Sequence, residues 1–327
     1  MGFELVRLVS PDGMLLRRSD VFQPPTVLER LLSSPVKFLL SLLYKFSLSL
    51  RRRRSTQNHS AKIVCISDTH TQTCTIPGGD ILIHAGDLTN VGNLVEIQAQ
   101  IDWLSSLPHL HKIAIAGNHD TYLDPRSRRT LSASDQSGSL NWRNIHYLQH
   151  DSVTLTLEDR KIIVYGAPQT PACGGDNFAF QYPRGQDAWS DTIPPNVDIL
   201  ATHTPPKYHL DLFSPSLGCE WLLKETWRVR PRLHIFGHVH AGAGKEVVFW
   251  DDAQKAYERG MARRSKGFFE MLNPCLWLDI VKLVIFAVGG VLWDKVWAGE
   301  QRTTVMVNAA LMTMGGKLEN NVQVEAI

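Results

Sequence analysis

The chain has 327 residues, 43% of them hydrophobic and 20% charged, an ordinary globular balance long enough to bury a sizeable core. Its five cysteines (Cys65, Cys74, Cys173, Cys219 and Cys275) are odd in number and form no Cys-x-x-Cys pair; this argues against a disulfide framework and a cysteine-built metal site, and fits reduced thiols in a cytoplasmic compartment. The net charge of +2 conceals an asymmetry: residues 1–62 hold 11 Lys and Arg against 4 Asp and Glu, so a basic lead-in precedes a mildly acidic body and an anionic partner is expected for the lead-in alone.

Residues 1–30 show no sustained hydrophobic period. Residues 31–50 are apolar and free of acidic side chains, are interrupted by Lys37 and Lys45, and are followed by four arginines at 51–54. The stretch is too broken for a membrane span of about 20 apolar residues, and it lies too far into the chain for a cleaved leader. One expectation is an amphipathic helix on an anionic membrane, contacting it through residues 31–54 with the arginines at the headgroups, so that a cytoplasmic protein sits peripherally on a membrane. The plainer expectations are a surface helix packed on the body, or a basic arm without fixed structure. The chain begins Met1-Gly2 but has Val6 where a myristoylation signal requires Ser or Thr, so no lipid is implied.

From residue 61 the character changes. Short β-branched runs at 62–67, 80–84, 112–116, 161–165, 198–202 and 232–236 predict buried strands. Between the second and third, Leu94, Ile97, Ile101 and Leu104 have helical spacing, and strands alternating with helices predict an α/β architecture. A second apolar stretch, 275–297, contains Asp279, Lys282 and Asp294 and the Gly289-Gly290 pair; a buried helical hairpin is expected there, with a membrane-contacting patch as the minority reading. Residues 303–309 and 322–327 are strand-like. The organisation expected is a basic, partly apolar extension over 1–60 and one domain over 61–327, with an apolar insertion at about 251–302.

The residues that could carry chemistry stand directly after the strands. Asp68 and His70 come after the first, Asp87 after the second, and Asn118 and His119 after the third; His203 comes after the fifth, and His238 and His240 after the sixth. In open α/β sheets ligands gather beyond the carboxyl ends of the strands, so these loops are expected to converge on one site. Singly, each residue is an ordinary turn former, helix cap or satisfied histidine. Five loops in this order, each just after a strand, are hard to explain that way. Mixed Asp, Asn and His donors suit Mn²⁺, Fe or Zn²⁺.

Asp-x-His at 68–70, Gly-Asp at 86–87, Gly-Asn-His-Asp at 117–120, a lone His203 and Gly-His-x-His at 237–240 resemble the calcineurin-like metallophosphoesterase superfamily. The likeness is closer still to its metallophosphoesterase-domain-containing (brain protein 239-like) subgroup, and it extends over about 62–250 and again near 303–327. The resemblance implies a four-layer α/β/β/α sandwich and two divalent metal ions (Mn, Fe or Zn). In it Asp68, His70 and His240 hold the first ion, Asn118, His203 and His238 the second, and Asp87 bridges them. It also implies phosphoester hydrolysis by a hydroxide activated between the ions, which lie about 3.5–4 Å apart in such sites.

His119 is the expected proton donor to the leaving group, since imidazole titrates near neutral pH; the alternative is an orienting role for Asn118 or a phosphate. Protein phosphatases of the superfamily continue Gly-Asp-x-x-Asp-Arg-Gly, whereas this chain has Asn90 and Val91 where the Asp and Arg would stand. A site without that arginine is better matched to a singly charged phosphodiester than to a dianionic monoester. The expected substrate is therefore a small or cyclic-nucleotide-like phosphodiester, and no specific nucleic-acid binding is expected. A phosphomonoesterase or protein phosphatase, a metal-stabilised binding protein without turnover, and a membrane-attached adaptor are the alternatives. Arg184 is a candidate substrate contact, and Phe178, Phe180 and Trp189 either line a substrate mouth or pin a long loop.

Overall fold

Two sheets pack face to face because their strands are apolar on both sides, a pattern that forces burial of both faces. The computed structural model describes residues 23–51, 60–213, 215–264, 267–297 and 301–327. Arg52, Arg53 and Arg54 lie outside these.

In chain order the elements are α1 (Val27–Ser33), α2 (Pro35–Leu50), β1 (Lys62–Ile66), β2 (Ile81–Ala85), α3 (Leu94–Ser106), β3 (His111–Ile115), β4 (Ile145–Tyr147), β5 (Asp151–Leu157), β6 (Arg160–Ala167), β7 (Thr170–Pro171), β8 (Gln181–Tyr182) and β9 (Ile199–Thr202). They continue with α4 (Glu220–Val229), β10 (Leu233–Phe236), β11 (Gly244–Phe249), α5 (Asp252–Ala262), α6 (Pro274–Lys295), β12 (Thr303–Asn308) and β13 (Gln323–Ala326). One sheet has the order β13-β1-β2-β3-β4, the other β11-β12-β10-β9-β6-β5. Inside each sheet the central strands run parallel, and β13, β11 and β5 add antiparallel edges.

Strand alternation assigns the faces. Ile63, Cys65, Ile81, Ile83, Ile113 and Ile115 meet Ile162, Val164, Ile199, Leu233, Ile235 and Val307 in the core between the sheets. The alternate residues Val64, Ile66, Leu82 and Ala114 pack outward on Ile97, Ile101 and Leu104 of α3. Tyr165 and Leu200 pack outward on Leu222 and Val229 of α4. This is the four-layer α/β/β/α arrangement. All the short predicted strands are present, and all five cysteines are unpaired.

One expectation needs correction. The stretch 275–297 is not a hairpin but one 22-residue helix, started by Asn273, whose side chain accepts from the Cys275 and Leu276 N–H groups. The glycine pair does not break it. Gly290 leaves room for the Arg51 guanidinium, which a Cβ at that position would strike.

The described helices of the amino-terminal extension pack on the insertion. Leu40 and Tyr44 of α2, Ala256 and Tyr257 of α5, and Leu276 and Leu283 of α6 bury one another in a common cluster. Arg51, at the end of α2, pairs with Asp294 of α6 and with Asp251. The described helices α2, α5 and α6, outside the resemblance, thus form one layer.

Candidate metal centre

The carboxyl ends of β1, β2, β3, β9 and β10 point the same way along the sandwich, and the loops that leave them meet. The Asp68 N–H donates to the Gly86 carbonyl at 2.9 Å and the His70 N–H to the Asp87 carbonyl at 3.1 Å, which ties the first loop to the second. The Gly237 N–H donates to the His203 carbonyl at 3.1 Å, and the His238 N–H lies 3.1 Å from both Asp68 carboxylate oxygens. The His119 N–H donates to Asp87 Oδ1 at 2.8 Å.

All seven expected ligand residues are brought together. His240 Nε2 is 3.3 Å from Asp68 Oδ1 and 3.3 Å from His70 Nε2. His203 Nε2 is 3.0 Å from Asn118 Oδ1 and 3.4 Å from Asp87 Oδ2, while His70 Nε2 is 3.7 Å from that same Asp87 oxygen. Asp68, His70 and His240 form one group of potential ligand atoms, and Asp87, His203 and His238 a second, with all ligand atoms of a group within 4.8 Å of one another. Asp87 also groups with His70, on the side of the first set, so it stands between the two.

The donor set fits a pair of cations. Asp68 and Asp87 are buried, and no Lys or Arg pairs with either among the described residues; the ionic partners present are imidazoles. Two buried carboxylates ringed by imidazoles invite positive charge. Burial would raise the Asp87 carboxyl, but His203, then His119 and His70, hold it well below its usual range. Burial pushes His238 down to about 3, so it is neutral with a free lone pair. Burial opposes charge on His203, yet Asp87 beside it drives its pKa up to about 9. Its Nδ1–H donates to the Ala85 carbonyl at 2.9 Å, leaving Nε2 to face the site, the arrangement typical of a metal-bound histidine.

The backbone supports this closely. Asp68, His70, Asp87 and His238 all have positive φ, between 46° and 66°, a region that side chains other than glycine seldom occupy. At Gly117 a Cβ would collide with both the backbone N and Oδ1 of Asp87, so only glycine allows this approach.

Asp120, the last residue of the third motif, was not singled out in the sequence. Its buried carboxylate accepts from the N–H groups of Leu88 (3.2 Å), Thr89 (3.0 Å) and Gly117 (2.7 Å) and from the Thr89 hydroxyl (2.8 Å), clamping the second loop to the third. Asn308, at the end of β12, likewise donates to the carbonyls of Leu210 (3.0 Å) and Val239 (2.9 Å). The only sequence signal for Asp120 was its place directly after Asn118 and His119; Asn308 had none.

His119 is half-buried beside the ligand set, its ring 4.8 Å from His70 and 4.7 Å from Phe178. The Asn90 backbone carbonyl, not its side chain, lies 2.8 Å from His119 Nδ1, while the Asn90 amide donates to the His70 carbonyl and the Thr71 hydroxyl. Val91 is exposed, and its N–H, with that of Gly92, is held by the Glu96 carboxylate.

Of the aromatic candidates, Trp189 and Phe180 are buried in core clusters, and only Phe178 touches His119. The Arg184 guanidinium donates to the carbonyls of Ala172 (2.8 Å) and Leu217 (3.3 Å). It lines a pocket with Pro171, Tyr182, Lys207, Glu220 and Trp221 that includes none of the seven ligand residues.

Among known proteins, one named Probable rhamnogalacturonate lyase C, from Emericella nidulans, is 40% identical over 305 residues, covering 92% of this chain but 27% of that protein. Human Metallophosphoesterase domain-containing protein 1 is 40% identical over 207 residues, 56% of this chain and 61% of its own. A Caenorhabditis elegans protein of the UPF0046 group is 35% identical over 192 residues, 56% of this chain and 64% of its own. The chain therefore spans between about a quarter and two thirds of these relatives. The sequence pattern of the family described as calcineurin-like phosphoesterase matches residues 61–242, the segment that carries the loops from Asp68 through His240. With that match over more than half its length, the chain belongs to the calcineurin-like phosphoesterase family.

Proposed function

We propose that the protein is a metal-dependent phosphoester hydrolase whose preferred substrate is a small phosphodiester. The observation that carries this reading is the convergence of seven ligand-type side chains on Asp87 with His119 at their edge. Asp68, His70 and His240 would hold one divalent ion, Asn118, His203 and His238 the other, and Asp87 both. Bound there, such ions activate a water and neutralise phosphoryl charge.

The protein's own groups do the rest. Because a carbonyl can only accept, His119 keeps its proton at Nδ1, and proton exchange is confined to Nε2. As an imidazolium, His119 can deliver that Nε2 proton to the departing oxygen. Phe178 packs against its ring, with the centroids 4.7 Å apart, and limits how far the imidazole can swing.

The diester preference rests on charge. The turn after Asp87 offers no cation for the extra negative charge of a monoester: Val91 stands where an arginine would, and the backbone N–H groups of Val91 and Gly92 are occupied by Glu96.

The test is hydrolysis of bis-p-nitrophenyl phosphate and p-nitrophenyl phosphate with added Mn²⁺, by wild type and His203→Ala. Turnover of the diester well above the monoester, lost in the variant, is expected. No metal-dependent turnover of either ester overturns the enzyme reading, and faster monoester turnover overturns the diester preference.

A further inference from the structure

Of the 27 large hydrophobic side chains exposed among the described residues, 23 lie in residues 27–50 and 268–297. Helix α6 accounts for much of this. Its buried residues Leu276, Ile280, Leu283 and Ala287 face α5 and α2. Trp277, Val281, Val284, Val288 and Leu292, at helical spacing, form an exposed stripe beside that buried face, with Val281 51% and Val288 55% exposed. The short 3₁₀ segment Gly267–Leu272, with Phe268 and Leu272 each more than half exposed, touches α1, α2 and α6, so these apolar faces belong to one layer. A soluble domain rarely leaves so much apolar surface clustered without a partner.

The charges of this layer are sorted. Glu270 is fully buried and accepts from the N–H groups of Val36 (3.1 Å) and Lys37 (3.2 Å). Asp279 is held by Arg259 and Arg263, and Asp294 by Arg51. Glu29 is engaged in the capping box with Thr26 at the start of α1. Lys45, Arg264 and Lys295 are left exposed, and the sequence runs on from Arg51 into three more arginines. Acids buried or paired, the remaining cations and the hydrocarbon exposed: this is the pattern of a surface made for an anionic bilayer. Trp277 stands near one end of α6 and Trp293 and Trp297 near or beyond the other, all exposed, as amphipathic indoles do at a membrane interface.

We propose that α1, α2, the Gly267–Leu272 segment and α6 form a monotopic docking surface for the anionic leaflet of a membrane, with α6 lying in the interface. Helix α6 is long and apolar enough to cross a membrane, and a third of its most apolar window is buried in the protein. However, a crossing would carry the Asp279 pairs with Arg259 and Arg263, the Asp294–Arg51 pair and the polar helix α5 into hydrocarbon, where buried ions are strongly disfavoured. A second copy of the chain is disfavoured as occupant because it brings the same cations face to face. The surface is therefore built by the tertiary packing of two distant segments and not by residues 31–54 alone. For the same reason, deleting residues 1–60 is no clean test, since it removes Leu40, Tyr44 and Arg51 from the helical core.

The experiment is flotation of the full chain with vesicles of phosphatidylcholine alone or phosphatidylcholine with phosphatidylserine, at low and high salt. It includes Val281→Asp/Val288→Asp and Lys45→Glu/Lys295→Glu, each first shown to keep the wild-type circular dichroism and melting temperature. Wild type is expected to float with the anionic vesicles and less with the neutral ones. The valine variant should bind at least about tenfold more weakly, and the lysine variant should lose the preference for anionic lipid. The proposal is overturned if wild type does not float, or if the valine variant floats as well as wild type. It is overturned too if light scattering without vesicles finds a dimer that the valine variant abolishes. None of these readouts depends on ester hydrolysis.

Discussion

At the residue scale, the roles of single atoms follow from which nitrogen faces which group. His203 and His119 both give Nδ1–H to a backbone carbonyl, Ala85 and Asn90 respectively, and so both present Nε2 to the centre. For His203 that nitrogen sits among Asn118 and Asp87, where a metal ligand belongs; for His119 it is available for proton transfer. A leaving-group proton matters most when the departing oxygen is basic. In His119→Ala, kcat should therefore drop little for p-nitrophenyl diesters and by about 10²-fold or more for diesters of less acidic phenols. Rates measured over a graded series of aryl diesters check this, and a uniform deficit across the series would make His119 a positioning residue. The residue types at these positions were legible in the sequence. The left-handed backbone at Asp68, His70, Asp87 and His238 was not, because a conformation costing about 1–3 kcal/mol per residue persists only where the surrounding loops hold it.

At the element scale, the loop that carries His203 is braced by the helical layer. Its His209 is buried and lies against Glu246 of β11 and Glu258 of α5. In the same network Tyr44 of α2 bonds Gln254, and the Trp227 indole donates to Glu258 at 2.8 Å. Tyr257 donates to the Tyr208 carbonyl at 3.3 Å, and Phe38 of α2 meets Phe213 edge-on. Burial opposes charge on His209, but Glu246 and Glu258 raise its pKa from 6.5 to about 10. A folded-state value above the unfolded one means stabilisation that is complete below pH 6.5 and lost as pH rises through about 10. The melting temperature of wild type should therefore fall by several degrees over that window, and more steeply than that of His209→Gln; scanning calorimetry at stepped pH is the check. The periodicity of α3 and the strand runs were readable in advance. The union of α2 with α5 and α6 was not, since it joins segments some 200 residues apart, and nothing local marks Arg51 as the partner of Asp294.

At the scale of the whole molecule, the metal centre lies where two sheets end together, so its occupancy is linked to the stability of the entire sandwich. Without cations, Asp68 and Asp87 remain buried among histidines. Protein stripped with a chelator should gain about 2.7 kcal/mol of stability when Mn²⁺ or Zn²⁺ reaches 100 times its dissociation constant. The gain should grow with metal concentration and be smaller in His203→Ala, which keeps the Asp68, His70 and His240 group, as read from melting curves. An unchanged melting temperature on adding metal would mean that no cation binds the folded state more tightly than the unfolded one.

The sequence by itself determined the fold class, the strands and the residue types that surround the centre. Each depends on short-range pattern: buried parallel strands need continuous apolar runs, and ligand loops must begin where those runs stop. Only the tertiary structure decided that Asp120 and Asn308 hold the loops in register, that Asn90 acts through its carbonyl, and that Arg184 binds two backbone carbonyls. It alone also joined the amino-terminal helices to α6 in one layer and paired that layer's buried acids Asp279 and Asp294 with Arg259, Arg263 and Arg51. These depend on direction and on neighbours distant in sequence, and a residue's type specifies neither.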